Sequence, residues 1–176
     1  MDFGSVLEKL DTFLAEKSYR FALVGGITLA AHGIVRTTLD LDLAVEARAQ
    51  DELVAFMEAS GYTSLHRSAG FSNHLHSDSA YGRVDFVYVR GDTAEALFEQ
   101  AHLLEGPRGK NVRVASPEHL LAMKVAAMKS DPARAFQELA DIRALLRLPG
   151  AAHDAARRQF TKYDLLERFR ELEKDF

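Results

Sequence analysis

Residues 36–46 read Arg-Thr-Thr-Leu-Asp-Leu-Asp-Leu-Ala-Val-Glu. Leu39, Leu41 and Leu43 alternate with Asp40 and Asp42, so the segment reads as a strand with one apolar face directed into a core and one anionic face. Residues two apart in a strand project together, about 6.6 Å apart along the chain. Two ionised carboxylates so placed repel each other unless a cation lies between them, and a divalent ion with oxygen ligands removes the repulsion. A half-exposed strand whose outer face is simply wet fits the same letters.

The flanks carry further chemistry. Arg36, Thr37 and Thr38 bring a guanidinium and two hydroxyls to the start of the strand, where they could meet phosphates or cap the local backbone. Upstream, Val6, Leu7, Leu10, Phe13 and Leu14 form a helical stripe over residues 5–16, and Arg20 to Val24 reads as a short buried strand. Gly25-Gly26 ends that strand, and a short helix, Ile27 to Ala31, follows and closes at His32-Gly33. A glycine turn between strand and helix lets backbone N–H groups approach phosphate oxygens, although ordinary tight turns also carry paired glycines.

Downstream, residues 50–60 form an amphipathic helix stopped by Gly61, and strands are expected at 62–65, 73–76 and 83–89. The last places Asp85 on a face with Val87 and Val89. If it lies beside the first acidic strand, Asp85 completes a three-carboxylate cluster able to hold one or two Mg²⁺ ions, as phosphoryl transfer requires. If it does not, Asp85 is a rim residue paired to Arg83 or Arg90. His74 and His76, two apart on one strand face, could add ligands or be surface residues of a hairpin.

Residues 93–101 read as helix and 111–114 as a short strand. Ser116-Pro117-Glu118 starts a helix to about Lys129, with serine as cap and proline at the first position. Ser130-Asp131-Pro132 breaks it and opens another through Arg147, which stops near Pro149-Gly150. Thr161 to Asp164 resembles a cap for a last helix to about Lys174. Lys124 falls on the apolar stripe of Leu120, Leu121, Val125 and Met128, where it either snorkels to solvent or meets an anion. Asp141 on the next helix is either an exposed acid or part of the same chemistry. Arg157, Arg158 and Lys162 form a small basic cluster that could touch an RNA backbone or belong to a solvated face.

Strands crowd into residues 20–115 and helices into the rest. The expected fold is therefore α/β (α+β), a mixed sheet flanked by helices and followed by a helical C-terminal part. Residues 1–115 form the core and 116–176 the helical part packed on it as one unit. With 176 residues, 47% of them hydrophobic, the chain can bury a sizeable core. A formal charge of −4 disfavours non-specific DNA binding, which depends on neutralising phosphates. The absence of cysteine excludes disulfides and thiolate metal sites, leaving Asp, Glu and His as ligands and favouring a hard cation. No run of about 18 apolar residues and no basic, apolar leader is present, so a cytoplasmic protein with no membrane partner is expected.

The ordered set of Gly25-Gly26, Arg36-x-Thr38, Asp40-x-Asp42, Asp85, Pro117-Glu118-x-Leu-Leu-x-x-Lys124 and Asp141 resembles the nucleotidyltransferases of the DNA polymerase β superfamily. Within it, the set is most similar to the small bacterial branch of AbiEii-like and MenT-like toxins, and it spans about residues 20–146. The resemblance implies the polymerase β-type nucleotidyltransferase fold, with Asp40, Asp42 and Asp85 as ligands of Mg²⁺, or alternatively Mn²⁺, and Asp85 also activating an acceptor hydroxyl. It assigns the β- and γ-phosphates to Gly25-Gly26, and a border of the triphosphate pocket to Arg36 and Thr38, with Thr37 between them. It gives Lys124 a phosphate contact and Asp141 a supporting or catalytic role.

Two departures stand out. Many superfamily members carry Ser where this chain has Gly26. The toxin branch often shows R-D-x-x-D where this chain has Gln137-Glu138-Leu139-Ala140-Asp141, which keeps Asp141 and leaves position 138 without an assigned role. The implied activity is transfer of an NMP from an NTP such as ATP to a hydroxyl of tRNA or another RNA end, a protein or a small molecule, with pyrophosphate released. A role as the toxin of a toxin–antitoxin pair, with a cognate antitoxin, goes with it. Two other readings stand beside this one: a catalytically silent nucleotide- or partner-binding module of the same fold, and a metal-dependent phosphohydrolase using the same acids with His74 and His76.

Overall fold

The structure, a computed structural model, describes residues 1–106, 109–174 and 176. Helix α1 (Phe3–Glu16) is capped by Asp2, whose carboxylate accepts from the Ser5 amide at 3.0 Å. It leads into strand β1 (Phe21–Val24), helix α2 (Gly25–Ala31) and strand β2 (Asp40–Glu46). A 3₁₀ turn, Ala47–Ala49, precedes helix α3 (Gln50–Ala59), and strands β3 (Tyr62–Arg67), β4 (Phe71–His76) and β5 (Arg83–Val89) follow. Helix α4 (Gly91–Glu99) and strands β6 (His102–Glu105) and β7 (Asn111–Val114) complete this part.

The strands form one seven-stranded mixed sheet in the order β3-β4-β5-β2-β1-β7-β6. β2 pairs with β5 in parallel and with β1 antiparallel, while β4 pairs antiparallel with β5. One sheet face carries Leu41, Leu43, Val45, Val84, Phe86 and Tyr88, which join Val6, Leu7, Leu10 and Leu14 of α1 and Leu53 and Met57 of α3 in one apolar cluster. Burial of that face fixes the register, because a slip of one residue would turn every apolar side chain outward.

The pattern of residues 36–46 needs one correction. Leu41 and Leu43 are fully buried, but the strand begins only at Asp40, and Leu39 is 78% exposed. The predicted alternation ran one leucine too far, into a segment that has no strand partner. β6 was not anticipated: three of its four residues are exposed, so it has no apolar face to reveal it.

The chain divides into two units, Met1–Ala115 and Ser116–Phe176. In the second, α5 (Pro117–Ser130) starts on Ser116, whose side chain accepts from the His119 amide. A 3₁₀ turn, Pro132–Arg134, leads into α6 (Ala135–Leu146), followed by α7 (His153–Lys162) and α8 (Leu166–Glu173). Leu120, Val125, Ile142, Leu145, Phe160 and Phe169 are buried here. The expected cap at Thr161 to Asp164 is not formed. Those residues end α7 instead, Thr161 donates to the carbonyl of Arg157 at 2.8 Å, and α8 starts without a side-chain cap. The basic cluster lies on α7, where Arg157 is paired with Glu173.

Candidate active site

The register of the sheet centre places the acids. Asp42 stands opposite Asp85 on the neighbouring parallel strand, and Asp40 stands opposite Arg83. Residues in register on adjacent strands project to the same face, so Asp40, Asp42, Arg83 and Asp85 share the face turned away from Leu41 and Phe86. Asp85 is 8% exposed and receives a bidentate pair from Arg83, Nε to Oδ1 at 2.8 Å and Nη2 to Oδ2 at 3.0 Å. The hydrogen bonds of Asp85, with the charges of Asp40 and Asp42 adding to them, raise the Arg83 pKa and hold the guanidinium charged. Asp85 thus lies beside the Asp40-x-Asp42 strand, and the Arg83 pair expected of a rim residue forms at a buried position. Among the described residues no three Asp, Glu or His side chains form a group arranged to hold a metal ion. The cation paired with Asp85 is Arg83.

The glycines explain how the acids are approached. Gly25 has φ +67°, and a Cβ added to it would lie 2.0 Å from Asp42 Oδ2. The absence of a side chain is what lets the Asp42 carboxylate lie against the turn. A Cβ on Gly26 would lie 2.7 Å from Arg36 Nη1 and 2.8 Å from Thr38 Oγ1. Two of the three residues expected to border the triphosphate thus press onto the turn, and Thr38 puts its hydroxyl beside the place a serine side chain at position 26 would take. Thr38 also donates to the Asp40 carbonyl at 3.2 Å, tying this loop to the start of β2. Thr37 is exposed.

The donor type, though not the arrangement of the side chains, is the one a hard divalent cation takes. The set consists of carboxylate oxygens only, at two positions of one strand and the matching position of the next, with a glycine beside one of them in place of any competing side chain.

His74 and His76 lie on the other side of the sheet. Asn73 is the residue of β4 opposite Asp85, so its neighbours in the alternation face away from the acids. His74 is fully buried, shares hydrogen bonds with Ser72 Oγ at 2.9 Å and Ser64 Oγ at 3.2 Å, and meets the Phe86 ring edge-on. The histidine ligands of the phosphohydrolase reading are thereby removed from the acids.

In the helical unit Lys124 does not snorkel. It is 7% exposed, and its ammonium donates to Glu138 at 2.9 Å and to Asp141 at 2.5 Å. Glu138 and Asp141 are 1% and 5% exposed, and the Arg134 guanidinium lies 2.7 Å from the second Glu138 oxygen. Asp141 is thus no exposed acid, and position 138, unassigned from sequence, is a buried partner of Lys124. The i,i+3 spacing of Glu138 and Asp141 on α6 was the signal that could have shown them on one face.

Sequence reasoning also passed over Asn73. It is 7% exposed, stands in register with Asp85 on the acidic face, and its Nδ2 has no hydrogen-bond partner among the described residues. Only the strand pairing reveals it.

Known structures share this architecture. The antibiotic-resistance factor ANT(2″)-Ia is similar over 99% of this chain and 98% of its own, with a TM-score of 0.69 and 17% identity. The lincosamide antibiotic adenylyltransferase LnuA is similar over 82% and 97%, with a TM-score of 0.54 and 16% identity. An antigenic nucleotidyltransferase-like protein from Paracoccidioides brasiliensis is similar over 98% and 92%, with a TM-score of 0.57 and 16% identity. A search of the curated proteins finds no sequence match. At these identities the neighbours establish the nucleotidyltransferase fold. The model of the family described as nucleotidyl transferase AbiEii toxin, type IV toxin–antitoxin system, matches residues 10–175, nearly the whole chain, and the protein belongs to that family of nucleotidyltransferase enzymes.

Proposed function

We propose that the protein is a Mg²⁺-dependent enzyme that moves an NMP from an NTP to an acceptor hydroxyl and releases pyrophosphate, as the toxin of a toxin–antitoxin pair. The observation that carries this reading is the row of carboxylates, Asp42 opposite Asp85 with Asp40 two residues before, on one face of two parallel strands. Asp40, Asp42 and Asp85 would hold the cation, which neutralises charge developing on the triphosphate and its leaving group. Asp85 takes the proton of the acceptor hydroxyl as the new phosphate ester bond forms and the bond to pyrophosphate breaks. Leu41 and Leu43, locked in the core, keep the Asp40 and Asp42 backbone from turning. Arg36 and the Thr38 hydroxyl, pressed onto Gly25-Gly26, supply donors for phosphate oxygens. By the family resemblance, Lys124 and Asp141 also serve the transfer.

The bidentate Arg83–Asp85 pair favours a second reading, a module that binds nucleotide without transferring it, because it occupies both oxygens of the carboxylate that would accept the proton. One experiment separates them. Purified protein is incubated with each of the four α-labelled NTPs, Mg²⁺ and cell extract, and both labelled acceptor and pyrophosphate are measured. The enzyme produces both; a silent module binds an NTP calorimetrically and releases no pyrophosphate. For the toxin role, expression is expected to arrest growth, and a neighbouring antitoxin gene to relieve the arrest.

A further inference from the structure

A buried amide with an unmade hydrogen bond is destabilising, and folded proteins rarely keep one without a use for it. Asn73 is such a group: 7% exposed, with Nδ2 buried and unpartnered among the described residues. Its place is informative, because the residue directly across the strand pair is Asp85. Opposed residues of an antiparallel pair have Cβ atoms about 5 Å apart, within reach of an amide-to-carboxylate hydrogen bond. The acceptor that would satisfy Nδ2 is therefore next to it, and in the structure its two oxygens accept from Arg83 and not from Asn73.

We infer that Asn73 is a positioning residue for Asp85, the donor that this carboxylate takes up when it leaves Arg83 to serve as a metal ligand. This rests on the metal-dependent reading of the site. A ligating carboxylate needs its remaining lone pairs fixed by hydrogen bonds, and loss of such an outer partner weakens metal binding about 10- to 100-fold. Arg83 and Asn73 thus hold the same side chain in two different states, one without metal and one with it. The unmade bond of Asn73 Nδ2 is the cost of having this donor ready, a trade of stability for function.

The test uses the full chain without nucleotide, so that it does not depend on finding the acceptor. Asn73→Leu removes the donors in a larger side chain branched at the same atom, and Asn73→Ser is smaller and retains a shorter donor. Mg²⁺ affinity is measured by calorimetry, and metal-free thermal unfolding is followed in parallel. The Asn73 side-chain amide signal is assigned from the variant and followed by ¹⁵N NMR during Mg²⁺ addition. The expected results are a metal-free Asn73→Leu protein at least as stable as the wild type, Mg²⁺ affinity lowered about 10-fold or more, partial recovery in Asn73→Ser, and a shift of the Asn73 amide on Mg²⁺ binding. Unchanged Mg²⁺ affinity in Asn73→Leu overturns the assignment while leaving the metal-dependent reading intact. A metal-free Tm lowered in both Asn73→Leu and the smaller Asn73→Ser also overturns it, since the amide would then be structural. Failure of the wild type to bind Mg²⁺ overturns both together.

Discussion

At the scale of single residues, the turn before the acidic strand is the most constrained point of the site. Gly25 and Gly26 are occupied from outside: the first by the Asp42 carboxylate, the second by Arg36 and Thr38. Many members of the polymerase β superfamily carry serine at the second position, and restoring it here has a definite outcome. In Gly26→Ser the new Cβ would lie 2.7 Å from both Arg36 Nη1 and Thr38 Cβ. The guanidinium end can swing away, but the Thr38 Cβ is fixed by the loop that leads into β2. Overpacking of this kind costs about 1–3 kcal/mol. Gly26→Ser is therefore expected to lower Tm by several degrees and to weaken NTP binding instead of improving it, as thermal unfolding and calorimetry would show. An unchanged Tm with tighter NTP binding would mean that Arg36 and Thr38 do not press on the turn.

At the scale of elements, β4 and the α5–α6 pair each hold a buried polar arrangement with a measurable signature. Burial lowers the pKa of His74 below its ordinary value, although the charges of Glu58 and Asp85 act in the opposite direction. A histidine depressed in the folded state binds its proton more readily when unfolded. Its contribution to stability is thus full above the unfolded value of about 6.5 and is lost as pH falls through the folded value. His119, also lowered by burial, acts with the same sign. Stability should fall from pH 7 to pH 5, and His74→Gln should flatten part of that fall in Tm; identical slopes would remove His74 as a cause. On α5 and α6, Lys124→Met would leave Glu138 and Asp141 buried without their ammonium, and losing one partner of a buried ion pair costs about 3–5 kcal/mol. Urea unfolding at pH 7 should show a loss of that order. A loss under 1 kcal/mol would show that the lysine is not shared as the distances indicate.

These elements also show where the sequence was readable. Alternation located β2 and β5, because each has one face that must be apolar, and the two glycines and Ser116-Pro117 punctuated the chain as their backbone chemistry requires. Leu39 misled because an apolar letter in step with a strand does not reveal that pairing has already stopped. α7 was missed because its buried residues include only Ala156 and Phe160 among charged neighbours. Asn73 and the Arg83–Asp85 pair depend on which strands are adjacent, a long-range fact that no local pattern contains. Glu138 was within reach through helical spacing, but an acid beside Asp141 reads as solvated until the lysine between them is known to be buried.

At the scale of the molecule, the sheet has one sealed apolar face and carries Asp40, Asp42 and Asp85 on the other, in a chain of formal charge −4. A triphosphate bound there, as proposed, would need its repulsion by the carboxylates offset locally, and Arg83 lies beside Asp85 and Arg36 beside Gly26. No helix among the described residues is long and apolar enough to cross a membrane. The central claim is that Asp40 and Asp42 are held on a strand for chemistry and not for folding. The double variant Asp40→Ala, Asp42→Ala tests it most directly, assayed for pyrophosphate release and label transfer from α-labelled NTPs beside a thermal unfolding curve. The expected result is transfer reduced to background with Tm equal to or above that of the wild type, since two like charges have been removed from one face. Transfer retained at the wild-type rate would contradict the account.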